Sequence, residues 1–377
     1  TSQQVVNRPY QETSSRVSGS EIISSNSKTS YNGNYGLNAS WTLYNGNKRL
    51  KTIQQEKLNN QVAELDVATS ENNIQESIAQ VYIQILYAAE SVKVNESTLQ
   101  VSIAQRDRGQ ELLNAGSIAK SDFAQLEAQV STDRYQLVTA QATLEDYKLQ
   151  LKQLLELDGE NEMNIYLPAL SDENVLAPLP TKRDVYISAL SLRPEIEASK
   201  LNVEASELGI NIAKSSYFPT ISLSAGIGTN HTSGSDFTFG EQVKNGWNNS
   251  IGLSVSVPIF NNRQTKSAVQ KAKLQYETSM LSLLDEQKAL YKTIESLWLD
   301  ANSTQQRYAA ANEKLKSTQI SYELISEQFN LGMKNTVELL TEKNNLLQAQ
   351  QEQLQAKYMA ILNTQLLKFY QGDQLAL

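Results

Sequence analysis

Apolar side chains recur at alternating steps of four and three from about residue 47 to 113, and the same rhythm returns from about 263 to 330. Neither stretch holds a proline, and Gly109 is the one interior glycine of the pair. Such spacing predicts one helix for each stretch, and at ~1.5 Å per residue each would extend roughly 100 Å. Strict four-three spacing also selects supercoiled packing against neighbouring helices. Each helix runs into a glycine turn, Asn114-Ala115-Gly116-Ser117 and Asn330-Leu331-Gly332-Met333, where glycine takes the left-handed conformation that ends a helix. Second helices rich in Gln, Ala and Leu are predicted over about 120–157 and 336–370. Short connections between long helices force antiparallel hairpins. Between the hairpins come Asp158-Gly159, a stretch bearing Pro168, Pro178 and Pro180, and a helix over about 182–215 interrupted at Arg193-Pro194.

A period of two governs other segments. Over 219–229, Ile221, Leu223, Ala225 and Ile227 alternate with Ser222, Ser224, Gly226 and Gly228. Over 250–260, Ile251, Leu253, Val255, Val257 and Ile259 alternate with Gly252, Ser254, Ser256 and Pro258. Tyr35, Leu37, Ala39, Trp41 and Leu43 do the same against Gly36, Asn38, Ser40 and Thr42. These are strands. A half-buried strand of a soluble protein alternates likewise, but three features point to lipid. The segments last about ten residues, enough to cross a bilayer at a tilt. Tyr31, Tyr44, Tyr217, Phe218, Trp247 and Phe260 stand at their ends, as interfacial girdles require. The links over about 10–30 and 230–246 are long, polar and rich in Ser, Asn, Gly and Thr.

Sliding the chain by 216 residues brings Trp41-Thr42-Leu43-Tyr44-Asn45-Gly46 onto Val257-Pro258-Ile259-Phe260-Asn261-Asn262, Ile74, Ile78, Val81 and Ile85 onto Leu290, Ile294, Leu297 and Ala301, and Gly116 with Asp122 onto Gly332 with Glu338. A period that long is no solenoid repeat; it predicts one structural half duplicated in tandem. The first repeat is 1–157, with strands about 1–9 and 31–44 and helices about 47–113 and 120–157. A linker follows at 158–181. The second repeat is 182–377, with a helix about 182–215, strands about 219–229 and 247–260, and helices about 263–330 and 336–370. Four strands cannot close a barrel, since about eight are needed to fill one, and an open edge in lipid leaves costly unpaired backbone groups. Other copies must supply the remaining strands. Each strand joins its long helix through two or three residues, so a ring of strands would continue into a ring of helices, as a tube.

Composition narrows the chemistry. The 377 residues include 16 Gly, 7 Pro, no Cys and one His, His231. That excludes disulfides, thiolate metal sites and a Cys nucleophile, and it leaves little for a zinc site or a His-based triad. No phosphate loop and no carboxylate cluster with metal-ligand spacing is present, so no enzyme activity and no cofactor are expected; His231 is expected in a solvated loop. Thirty-three basic against 41 acidic residues give a net charge of −8 without a basic cluster, which argues against nucleic acid as a partner. No run of 18 apolar residues predicts a transmembrane helix.

The stretch Leu192-Arg193-Pro194-Glu195-Ile196-Glu197-Ala198 running to Ser215-Ser216-Tyr217-Phe218-Pro219-Thr220-Ile221-Ser222-Leu223, followed by Val255-Ser256-Val257-Pro258-Ile259-Phe260-Asn261, resembles the TolC-type family of trimeric outer-membrane efflux ducts, in order and spacing over nearly the whole chain. The resemblance implies a mainly α protein with a small β part. Three chains would give a 12-stranded barrel in the outer membrane of a Gram-negative bacterium and a 12-helix barrel in the periplasm. It also implies a homotrimer in outer-membrane lipid working with a periplasmic adaptor and an inner-membrane pump of RND, ABC or MFS type, in efflux or type I secretion. The competing expectation is a soluble coiled-coil scaffold whose strands pack as a small sheet. Because the 216-residue offset puts the counterpart of the 194–215 helix before residue 1, a longer protein is expected, with a leading helix, signal peptide and any lipid-anchor cysteine ahead of this chain; the alternative is a first half without that helix.

In such a duct the tips of the hairpins are the place for a constriction. Asp122 and Glu338 each stand six residues after a tip glycine, and the resemblance points Glu338 into the entrance, where three copies would form a carboxylate ring, with Glu342 one turn on making another. Such rings favour cations, although acids in a first helical turn also simply offset the helix dipole. Where the family has a tyrosine that bonds the first-half acid, this chain has Phe329, so that latch cannot form. Lys334 either pairs with Asp122 or stays solvated. The tip surfaces around Gly116 and Gly332 are expected to receive the adaptor.

Overall fold

The computed structural model describes residues 3–5, 15–18, 21–24, 32–157, 165–166, 175–233 and 236–375. The elements in chain order are β1 (Gln3–Val5), β2 (Ser15–Ser18), β3 (Glu21–Ser24), β4 (Asn32–Asn45), α1 (Lys48–Asn114), α2 (Lys120–Leu154), α3 (Lys182–Leu192), α4 (Pro194–Lys214), β5 (Thr220–Thr232), α5 (Phe239–Asn245), β6 (Asn248–Ser256), α6 (Gln264–Asn330) and α7 (Thr336–Gln371). The fold is mainly α with a small β part. Of the predicted 1–9 strand and the 158–181 linker, residues 1–2, 6–9, 158–164 and 167–174 lie outside the described residues.

The two long helices have the same length, 67 residues each, and their first and last residues stand 216 apart. The turns at both ends repeat as well. Gly46 and Asn47 lead into α1 with φ of 66° and 62°, and Asn262 and Arg263 lead into α6 with 48° and 62°. A non-glycine residue held there costs about 1–2 kcal/mol, so the surrounding structure imposes this turn twice.

Contacts divide the chain into two compact units. One comprises Thr1–Asn59 and Asn202–Met280; the other comprises Asn60–Leu201 and Leu281–Leu377. Each unit draws on both sequence halves. In the first, one antiparallel sheet runs in the order β1-β4-β5-β6, and β2 pairs with β3 in a separate two-stranded hairpin. The helix ends in this unit are tied by Gln55 Nε2 donating to the Ala205 carbonyl at 2.8 Å and by a 2.8 Å bond between the Ser206 and Ser279 hydroxyls.

The second unit holds the core. Ile83 and Leu86 of α1, Tyr308 of α6 and Tyr358, Ile361 and Leu366 of α7 form one buried cluster. Val185 and Ala189 of α3, Ile196 of α4, Leu290 and Ile294 of α6 and Leu367 of α7 form another. The expected interruption at Arg193-Pro194 separates α3 from α4. Arg193 is extended, with ψ of 123°, because a residue before proline is driven out of the helical region. The buried Arg193 side chain becomes a hub. Its Nε bonds Glu195 at 2.8 Å, its Nη2 bonds Glu76 at 3.2 Å, and its guanidinium lies 4.1 Å over the Tyr370 ring.

Two expectations are corrected. The last strand ends at Ser256 rather than near 260; Pro258 has no N–H to give a ladder. His231 lies not in a loop but in β5, opposite Gly33. Its ring stacks edge-on at 5.0 Å against Phe239 of α5, a helix that folds within the 230–246 link.

Candidate functional site

The register of the sheet sorts its side chains into two faces, because directly opposed residues of antiparallel strands point the same way. Trp41 opposes Leu223, which opposes Leu253; Ala39, Ala225 and Ile251 make a second such row, and Ile221 opposes Val255. The rows between them read Thr42, Ser222, Ser254, then Ser40, Ser224, Gly252, then Asn38, Gly226, Ser250. One face is thus apolar and the other small and polar across three strands. The apolar face is uncovered: Trp41 is 63% exposed, Leu253 66% and Ile251 84%. A face this size turned to water is a liability in a soluble monomer; against hydrocarbon it is the surface a spanning strand presents.

At the other candidate site, each long helix ends in the same six-residue closure. Ser117 N–H bonds the Leu112 carbonyl at 2.8 Å and Gly116 N–H bonds Leu113 at 2.9 Å; Met333 N–H bonds Gln328 at 2.8 Å and Gly332 N–H bonds Phe329 at 2.9 Å. This is the Schellman pattern, which needs a left-handed residue just past the helix. Gly116 and Gly332 supply it with φ of 71° and 75°. The next helix then begins four residues past the glycine, at Lys120 and at Thr336, with its acid in the first turn.

The two tips differ in what surrounds that acid. Asp122 accepts from the Ala119 N–H at 3.3 Å, and the Ala119 methyl has no acceptor with which to return a bond. Glu338 accepts from Asn335 N–H at 3.2 Å while Asn335 Oδ1 accepts from Glu338 N–H at 2.9 Å, a reciprocal cap. Lys334 Nζ donates to Glu338 Oε1 at 2.6 Å. Of the two alternatives for Lys334, pairing with Asp122 or solvation, the structure shows neither; the lysine neutralises the acid of its own tip. The Lys334 ammonium first, and the Asn335 N–H next, hold the Glu338 carboxyl below the ordinary glutamate range. Glu342 accepts from Ser321 of α6 at 3.1 Å and from Asn345 at 3.4 Å. Phe329 is buried at 3% exposure, while Leu331, Met333 and Val337 around the second glycine are exposed.

One group was missed by sequence reasoning. Lys343 of α7 donates to Asp133 of α2 and to the hydroxyl of Ser102 of α1. Ser102 Oγ also donates to Asp133, and Gln129 Nε2 holds the other carboxylate oxygen at 2.8 Å. The lysine and aspartate side chains are 3% and 1% exposed. Burial pushes the Lys343 ammonium below the ordinary lysine range, and its bond to Asp133 opposes that shift. The available signal was positional: Lys343 falls in the buried stripe Thr336, Leu339, Lys343, Leu347, and Asp133 in the stripe Leu126, Val130, Asp133. Among the described residues no group of three or more His, Cys, Asp or Glu is arranged to hold a metal ion.

A family model described as outer membrane efflux protein matches residues 8–156 and 185–372. The chain is 24% identical over 294 residues to the outer membrane efflux protein BepC of Brucella suis, covering 78% of this chain and 61% of that protein. It is 23% identical over 311 residues to the outer membrane protein TolC of Escherichia coli, covering 80% of this chain and 62% of that protein. The chain therefore spans about three fifths of the length of these relatives. Its fold is that of a solved structure of CusC, with a TM-score of 0.78 at 20% identity over 96% of this chain and 82% of that one.

Proposed function

The chain belongs to the outer membrane efflux protein family, and we propose that it is the outer-membrane duct of a tripartite efflux or type I secretion system, conducting passively what an inner-membrane pump delivers through a periplasmic adaptor. The observation that carries this reading is the two-faced register of β4, β5 and β6. A four-stranded sheet with an uncovered apolar face and outer edges is stable in lipid only when neighbouring copies complete it. Three copies give twelve strands with the apolar rows outward and the Ser, Thr, Asn and Gly rows lining the lumen. The same three copies give twelve long helices, α1, α2, α6 and α7 from each.

At the tips of the hairpins the duct narrows. Three Glu338 side chains, each with its Lys334, and three Glu342 side chains ring the entrance and set which ions pass. The exposed Leu331, Met333 and Val337 offer the adaptor an apolar contact beside the second glycine. The mechanism makes and breaks no bond; it needs a wall, a lumen and a gate. Electron microscopy of the detergent-purified full-length protein, together with conductance in planar bilayers, tests this. A threefold particle that conducts is the expected result; a protein that stays monodisperse without detergent and conducts nothing would sink it.

A further inference from the structure

Three helix seams meet at the buried charges. The stripe on α7 steps from Thr336 to Leu339, Lys343 and Leu347; that on α2 from Leu126 to Val130 and Asp133; that on α1 through Asn95, Thr98, Leu99 and Ser102. A lysine and an aspartate hold positions that helix packing otherwise gives to leucine or valine. The duplication supplies an internal control. At 216 residues' offset the counterparts of Ser102, Asp133 and Lys343 are Thr318, Ala349 and Glu127. Ala349 is fully buried without a charge, and Glu127 is exposed. At the equivalent level the second hairpin therefore buries an alanine where the first buries the aspartate.

Nor does stability explain the pair. A buried ion pair is commonly no better than apolar residues of similar volume, whereas removing one partner leaves a costly uncompensated charge. Polar groups in a helix seam are best attested as devices that fix register. The position suggests what is being fixed. Lys343 stands on α7 one residue past Glu342 and five past Glu338, and it ties that helix of the second hairpin to both helices of the first.

Resting on the duct reading above, we propose that Lys343 and Asp133 are the positioning pair of the entrance, a separable pin that seats α7, with Glu338 and Glu342, on α1 and α2. An apolar seam that parts exposes its side chains to water with nothing to offset the loss. An ion pair that parts regains the hydration both charges gave up on burial. The pin thus sets one register for α7 while keeping the released position within reach, which a two-state gate requires.

Three variants of the full-length protein separate this from a merely structural role, read by single-channel conductance in planar bilayers and by trimer content and thermal midpoint. Asp133→Asn leaves a buried lysine without its counter-charge, and the open fraction rises about tenfold or more. The apolar pair Asp133→Leu with Lys343→Met keeps or raises the midpoint and lowers the open fraction about tenfold. The exchange Asp133→Lys with Lys343→Asp behaves as the wild type. Midpoints that shift while the open fraction stays constant in all three overturn the proposal. If Asp133→Asn does not assemble, the apolar pair decides alone, and wild-type gating in it overturns the pin. A wild-type protein that never conducts defeats the duct reading itself, a result distinct from a conducting duct indifferent to the pin.

Discussion

Lys334 Nζ donates to Glu338 Oε1 at 2.6 Å across the first turn of α7. The acid nearest the second tip is thereby already half-satisfied within its own chain, by a lysine four residues earlier and by the Asn335 N–H. Asp122, at the equivalent place of the first repeat, has the backbone bond without the lysine. The duplicated tips are electrostatically unequal, and the net charge at the second one is the balance of Lys334 and Glu338.

Removing the lysine should therefore unmask the acid. Lys334→Gln is expected to raise the cation-over-anion permeability ratio by about two- to threefold, and Glu338→Gln to lower it by a similar factor, as rings of charge do in pores. The zero-current potential under a salt gradient measures both. Equal potentials in both variants and the wild type would remove Glu338 from the entrance.

The pH dependence follows from the same contacts. Glu338 is held below the ordinary glutamate range, by Lys334 first and by Asn335 second. A carboxyl whose folded pKa is depressed contributes stability above its unfolded pKa, and that contribution is lost as pH falls through the lower folded value. The part of the cation preference that Glu338→Gln removes should thus persist below the usual carboxylate range. In Lys334→Gln that part should fade at higher pH than in the wild type. Zero-current potentials recorded across the acidic range check the order; fading at the same pH in both would refute it.

Arg193 gives a stability prediction. Its fork reaches Glu195 and Glu76 while its plane covers Tyr370, and burial first, then the Glu76 charge, pushes the Tyr370 hydroxyl up to about 12. Lysine cannot reproduce two directed bonds and a stacked plane. Arg193→Lys should cost about 2–4 kcal/mol, close to the loss from breaking a buried pair. Tyr370→Phe, which keeps the ring, should cost about 1 kcal/mol. Denaturant midpoints of the solubilised protein give the comparison, and equal losses would contradict it.

How far the sequence carried differs from feature to feature for physical reasons. The long helices were legible because a 67-residue helix must keep its seam for many turns, and breakers stand out against it. Gly116, Gly332 and Pro194 were legible because each imposes one backbone geometry. The Lys343–Asp133 pair was not, since an apolar count treats both residues as surface and their meeting depends on how α7 lies on α2. The position of His231 was hidden because β5 runs further than its apolar alternation, its polar end being covered by Phe239 of α5. The partner of Lys334 could have been read from spacing, since a lysine and a glutamate four apart at a helix start are within reach of each other.

The strand faces make the last prediction. Leu253 sits mid-row between the exposed Ile251 and Val255 and opposite Leu223, on the face assigned to lipid, while its neighbour Ser254 opposes Ser222 on the other face. An arginine near the bilayer midplane costs about 2–4 kcal/mol on the lipid side of a barrel strand, and a substitution on the lumen side alters conduction instead. Leu253→Arg introduces that cost in every copy and should cut the amount of assembled protein recovered from outer membranes several-fold. Ser254→Arg should leave the assembled amount near wild type and lower the conductance. If the two variants assemble equally well and conduct equally, the strands do not face lipid and lumen in the alternation that their register gives.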